Sequence, residues 1–192
     1  MQKTIKMMVT AFFLIACLHH AACAQGDESS WLQLSLFPPL HMVPSDQDVV
    51  GLRLGIVSVN EDVTGLDAGI INWTSGDEAA VQWGVINKTS GHFTGVQFGI
   101  VSLVGDGFVG WQASLINLNS GNSVGFFNGG LNSAESVVGY QLGFVNVTES
   151  MTGLQVGLIN YTQKMTGIQI GILNFIRSNE NLPFFPIINA SF

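Results

Sequence analysis

The chain has 192 residues, 47% of them apolar and only 10% charged, with 23 glycines and a formal net charge of −7. That balance excludes a disordered tail and an ordinary, highly charged cytosolic domain. The surplus of acid argues against nucleic acid, whose phosphates it would repel, and one domain is the expected count.

Lys3 and Lys6 precede an apolar run from Met7 to Leu18, and Ala22-Cys23-Ala24 supplies the small-x-small pattern of a cleavage site. Residues 1–24 therefore read as a secretory signal peptide, too short to span a bilayer comfortably. A second reading takes Leu14-Ile15-Ala16-Cys17 as a lipobox, with Cys17 the site of lipidation. Both cysteines lie in this segment, so cleavage after Ala24 leaves no thiol for a disulfide, a thiolate metal site or a nucleophile, and a net charge of −9.

Residues 25–50 read as an N-terminal strand and connection that cap the rest. Trp31-Leu32-Gln33-Leu34-Ser35-Leu36-Phe37 alternates as a half-buried strand does. Pro38-Pro39 stops it, and Leu40 to Val49 forms an irregular connection.

From residue 51 to 176 one unit recurs nine times, starting at Gly51, Gly65, Ala80, Gly95, Gly110, Gly125, Gly139, Gly153 and Gly167, with a period of 14 or 15 residues. Its clearest copies are Gly153-Leu-Gln-Val-Gly-Leu-Ile-Asn160 and Gly167-Ile-Gln-Ile-Gly-Ile-Leu-Asn174. The second, fourth, sixth and seventh positions are apolar and are expected to build the core. The third faces the other way and is Gln82, Gln97, Gln112, Gln141, Gln155 and Gln169 in six copies, with Arg53, Asp67 and Phe127 in the others. The eighth is Asn in seven copies and Ser58 or Ser102 in two. Ser75-Gly76-Asp77, Ser90-Gly91, Gly105-Asp106-Gly107 and Ser120-Gly121-Asn122 separate copies as turn formers. The sixth copy departs most, with Phe127 where Gln belongs and Gly130 where an aliphatic belongs, which marks a local bend or a compensated packing exchange.

This pattern predicts an all-β repeat domain, and two architectures satisfy it. In a β-solenoid, the favoured reading, each copy is one coil and equivalent residues stack, so that the Gln row and the Asn row form amide ladders. In an antiparallel barrel of the outer-membrane type, each copy is a strand, and the Gln row with Arg53 and Asp67 lines a lumen. A meander should alternate short and long turns, and no such difference is present.

Residues 177–192 form the closing segment. Phe184, Ile188, Ala190 and Phe192 suit a terminal barrel strand, although Pro186 interrupts it; a cap over an open core is the alternative for this end.

The tandem Gly-Leu-Gln-x-Gly-Leu-x-Asn units, the opening Leu36-Phe37-Pro38-Pro39 and the closing Pro183-Phe-Phe-Pro-Ile-Ile-Asn-Ala-Ser-Phe192 give the chain a resemblance. It resembles the bacterial surface repeat-containing proteins, secreted by Gram-negative bacteria. The resemblance spans almost all of the mature chain. It implies placement at the cell surface or outer membrane, with the periplasm as the alternative, and implies no reaction and no catalytic residues.

The residues themselves supply no chemistry that would make an enzyme. His41 and His92 have no acid or serine tied to them by sequence, and no phosphate-binding loop is present. Glu61-Asp62, Asp77-Glu78 and Asp106 match no calcium loop. No catalytic, cofactor or metal site is therefore expected. Five Asn-x-Ser/Thr sequons, at Asn72, Asn87, Asn146, Asn160 and Asn189, follow from the repeat consensus. The expectation is a non-enzymatic envelope repeat protein with a structural or binding role toward an unidentified surface partner, without nucleic acid. The alternative is a small outer-membrane barrel, a pore or adhesin, with a Gln-lined interior.

Overall fold

A computed structural model describes residues 29–38 and 40–192. The signal segment and Cys17 lie outside the described residues. The described chain is built of strands: β1 (Ser30–Phe37), β2 (Leu40–His41), β3 (Val49–Asn60), β4 (Val63–Thr74), β5 (Glu78–Trp83), β6 (Ile86–Thr89), β7 (His92–Val104), β8 (Gly107–Ile176) and β9 (Phe184–Ser191).

Successive copies of the repeat pair in parallel, like residue against like. Gly51 pairs with Gly65, Arg53 with Asp67 and Ser58 with Asn72, and the same register carries Gln82 to Gln97 to Gln112. The 70-residue β8 continues the stack on itself, Gly125 lying on Gly110, Gly139 on Gly125, Gly153 on Gly139 and Gly167 on Gly153. Each copy is thus one coil of a β-solenoid, as the absence of odd-even turn lengths implies, and neighbouring coils do not run antiparallel as barrel strands would. β1 joins the stack as a parallel coil on β3, with Gln33 against Arg53 and β2 folded back on it. At the other end β9 lies antiparallel on the last coil, Asn189 facing Gln169. Pro186 and Ile187, the latter with φ of 73°, interrupt this outermost strand. Both devices discourage edge-to-edge pairing.

The facing of the side chains is the reverse of the expectation that positions two, four, six and seven build the core. Gln155 has no exposed surface, whereas Leu158 is 48% exposed and Phe144 and Ile172 more than 60%. The third and eighth positions point inward, with the tenth and the residue two before position one. The second, fourth, sixth, seventh and ninth point outward. Two consecutive outward residues at the sixth and seventh positions mark the bend that a strict two-residue alternation cannot make. A coil of 14 or 15 residues encloses room for about four side chains, and that room is taken by amides and hydroxyls on one side. On the other side an apolar column runs through Phe93, Phe108, Val137, Met151 and Met165, joined by Phe127 from the third position and Ile176 from the tenth.

The glycines at position one are required by the same close stacking. All eight have φ between 129° and 146°, a region essentially closed to side chains. A Cβ on Gly110 would fall 1.9 Å from the carbonyl oxygen of Gly95. Gly110→Ala is expected to lower unfolding free energy by about 2–3 kcal/mol. Gly130→Ala, whose Cβ would meet Leu115 Cδ1 at 3.0 Å and the Leu115 carbonyl oxygen at 3.1 Å with no positive φ to hold, is expected to cost less, about 1 kcal/mol. Denaturant titration of the two variants checks both values.

Candidate functional site: amide ladders beneath an apolar wall

The interior polar groups form two ladders. In the third-position column, the Nε2 of four Gln residues donates to the Oε1 of the Gln one coil earlier: Gln97 to Gln82 at 2.5 Å, Gln112 to Gln97 at 2.6 Å, Gln155 to Gln141 at 2.7 Å and Gln169 to Gln155 at 2.7 Å. The six Gln residues singled out from the sequence thus share one buried column. They face neither bulk solvent nor a water-filled lumen, because the column is packed and closed.

The eighth-position column runs with opposite polarity. Asn72 Nδ2 donates to Asn87 Oδ1 at 3.0 Å, and from Asn117 an unbroken chain runs through Asn132, Asn146 and Asn160 to Asn174 at 2.7–2.8 Å. Each Nδ2 also donates to the backbone carbonyl at position four of the next coil, as Asn146 does to Val156 and Asn160 to Ile170, both at 3.0 Å. The Asn side chain thereby satisfies a carbonyl at the bend, which would otherwise be buried or face an apolar surface unpaired. Glycine at position five leaves space for this amide. A Cβ on Gly157 would sit 2.7 Å from Asn146 Nδ2.

Departures from the consensus compensate one another. Where Ser102 replaces Asn, the next coil carries Ser114 in place of the fifth-position glycine, and the two hydroxyls meet at 2.6 Å. Where Phe127 replaces Gln, the inward residue two before the leading glycine is the small Ser123, only 1% exposed, and the Phe127 ring lies 5.3 Å from Phe108. The sixth copy is therefore a compensated exchange of apolar and polar columns. Gln112, left without a donor on that side, pairs its amide with Asn119 instead. Of the buried side-chain polar atoms left unpaired, Asn72 Oδ1, Asn117 Oδ1, Gln141 Nε2 and Gln169 Oε1 are the ones a ladder end or gap must leave.

The Gln ladder starts on an ionic cluster. Gln82 Nε2 donates to Asp67 Oδ2 at 2.8 Å and to Glu78 Oε1 at 2.7 Å. Arg53 grips both Asp67 oxygens, through Nε at 2.8 Å and Nη2 at 2.7 Å, and lies 4.0 Å from Glu78. All three side chains are buried. Burial opposes the Arg53 charge, but the hydrogen bonds and charge of Asp67, with Glu78 beyond, raise its pKa. Burial and then the neighbouring Asp67 charge push the Glu78 carboxyl up to about 8, against smaller opposing effects from Arg53, Thr89 and Thr74. One cation and two acids balance only when one acid is protonated. Sequence reading missed this cluster because Glu78 belongs to a turn pair, Asp77-Glu78, whose members face opposite ways: Glu78 is 2% exposed, while Asp77 accepts from the His92 backbone N–H at 2.7 Å. Asp48 and Asp62 accept from the next turn's backbone N–H in the same way. The turn acids are thereby caps of the polypeptide, and no group of three metal-binding side chains occurs among the described residues. The sequon residues Asn72, Asn87, Asn146 and Asn160 are fully buried, so the folded coil offers none of them to a glycan.

Outside, the same coils present an apolar wall. Its members include Trp83 at 68% exposure, Leu54, Ile56, Ile70, Ile100, Leu115, Phe126, Phe144, Leu158 and Ile172. Monomeric soluble proteins rarely expose contiguous apolar patches beyond a few hundred Å². Shallow grooves run across it, one between Leu142, Phe144, Val156, Leu158, Ile170 and Ile172. No helix among the described residues is long and apolar enough to cross a membrane.

Gln155→Leu strands Gln141, which then has no partner for its Oε1, and leaves Gln169 Nε2 without its ladder acceptor. The expected loss is about 2–4 kcal/mol in denaturant unfolding, while Gln163→Leu, at an exposed position between copies, stays within ~0.5 kcal/mol. Because Glu78 titrates higher folded than unfolded, its contribution is complete below the ordinary carboxylate value of 4.5 and is lost as pH rises through about 8. Unfolding free energy measured from pH 5 to 9 should therefore fall with rising pH in the wild type. Glu78→Gln should flatten that slope. Comparison of the chain with protein-family models, with curated proteins and with solved structures finds no match.

Proposed function

We propose that this chain is a non-enzymatic repeat protein of the bacterial envelope, which works by presenting its outer surface to a binding partner. The observation that carries the reading is the inverted coil: the polar side chains are used inside, in holding coil to coil, and the largest apolar side chains are displayed outside. A soluble structural rod would place them the other way round. The buried Glu78 and Arg53 are engaged with each other's neighbours, so the perturbed ionisable cluster found among the described residues serves the stack and not a substrate. Export is supported by the sequence of residues 1–24, and the resemblance to surface repeat proteins points the same way.

The envelope assignment is tested by fractionating Gram-negative cells that express the full chain. Recovery in the envelope fraction, released by mild detergent and migrating identically with and without boiling, is the expected result. Recovery in the cytosol, or heat-dependent migration of a barrel, would count against it.

A further inference from the structure

The outward columns are graded by chemistry with distance from the turns. Acids of this coil face sit at the turns, among them Glu61, Asp62, Asp77, Asp106, Glu135 and Glu149. Next to the turns the columns are mixed. The ninth position sets Trp73, Lys88, Ser133 and Tyr161 among Val59, Leu103, Leu118, Val147 and Phe175, with the Lys88 ammonium 4.1 Å above the Trp73 ring, and the residue before position one is Thr64, Thr94, Thr152 or Thr166 in four coils and Val or Ala in the other five. Farthest from the turns, at the bend, stand aliphatic and aromatic residues without a charge, such as Ile56, Ile70, Ile100, Phe144, Leu158 and Ile172. This order, charge at the turns, then a mixed zone, then an uncharged ridge that also carries Trp83, runs as a bilayer interface does from water inward.

From this gradient, and resting on the envelope reading above, we infer that the solenoid lies lengthwise on a lipid surface with the ridge of positions four to seven sunk among the acyl chains and the turns in water. The backbone at the ridge is prepared for that setting. Its strands pair coil to coil, and the position-four carbonyls are met by the buried Asn column, so the ridge brings no row of unpaired carbonyls into hydrocarbon, where each would cost several kcal/mol.

A second copy of the chain is the other candidate occupant, and the shape of the apolar surface decides against it. Nine coils at ~4.8 Å make a wall about 40 Å long, and five extended residues make each face about 17 Å wide, so two copies joined face to face would bury roughly 1,400 Å². That suffices for a standard interface, yet the apolar surface turns the bend at positions six and seven, and the second face would stay bare. Hydrocarbon covers both sides of a convex ridge.

The test uses the full chain purified in mild detergent and mixed with phosphatidylcholine vesicles, some carrying bromine on the acyl chains. The expected result is co-flotation with vesicles, with tryptophan fluorescence quenched by the brominated lipid because Trp83 and Trp111 lie on the wall. The pair Leu158→Asp and Ile172→Asp, outward residues whose change leaves the circular dichroism intact, should lower the vesicle-bound fraction at least tenfold. Gln163→Asp, exposed between copies and away from the ridge, should leave it unchanged. Protein that stays free of vesicles, floats without quenching, or floats equally well with both aspartates overturns the inference. So does a vesicle-free dimer in sedimentation that the aspartates dissociate, which would assign the wall to a second copy. These outcomes are separate from the fractionation result, since a chain found in the cytosol could still bind vesicles and an envelope protein could fail to.

Discussion

The structure depends on one repeated hydrogen bond, a carboxamide donating to the identical carboxamide one coil away. A primary amide can donate on one side and accept on the other, so an unbroken column of Gln or Asn satisfies every member except those at its ends. That arrangement needs identical residues at one coil spacing and coils that run parallel. It also needs the amides inside, where water does not compete and an unpaired partner is costly. The 14- or 15-residue period, the glycines that let backbones approach, and the opposite polarities of the Gln and Asn ladders all follow.

Once amides occupy the interior, the aliphatic residues that alternate with them must face outward, because successive residues of a strand point to opposite sides. The inverted coil therefore follows from the choice of a polar interior, and the apolar wall is its necessary counterpart. The solenoid adopts the polar-inside, apolar-outside distribution associated with a membrane barrel, but it does so without a lumen and with parallel coils. The Arg53, Asp67 and Glu78 cluster closes the Gln column with charges, and the N-terminal segment closes the next rung, where Gln33 exchanges two hydrogen bonds with the backbone of Val43.

The repeat boundaries, the β character and the coil stacking were legible in the sequence because they depend on period and on glycine. The Gln row was legible as a ladder for the same reason. Its facing was not. Alternation says that Gln155 and Val156 lie on opposite sides, but which side is the interior is decided by whether the amide gains a partner there, and hydropathy ranks the two the wrong way. The role of Glu78 was hidden by its neighbour Asp77, and the pairing of Ser102 with Ser114 becomes visible only when coils are laid on one another, whereas the exchange at Phe127 was one of two readings the sixth copy allowed.

Hydrogen–deuterium exchange of the side-chain amides of Gln155 and Asn146, followed by nuclear magnetic resonance, tests the inward-facing ladders most directly. Both side chains have no exposed surface and both donate along a column. The account predicts exchange slowed to the range of the protected backbone amides of the same coils. Exchange at the rate of a free carboxamide would place these groups in water, and the inverted coil would then be wrong.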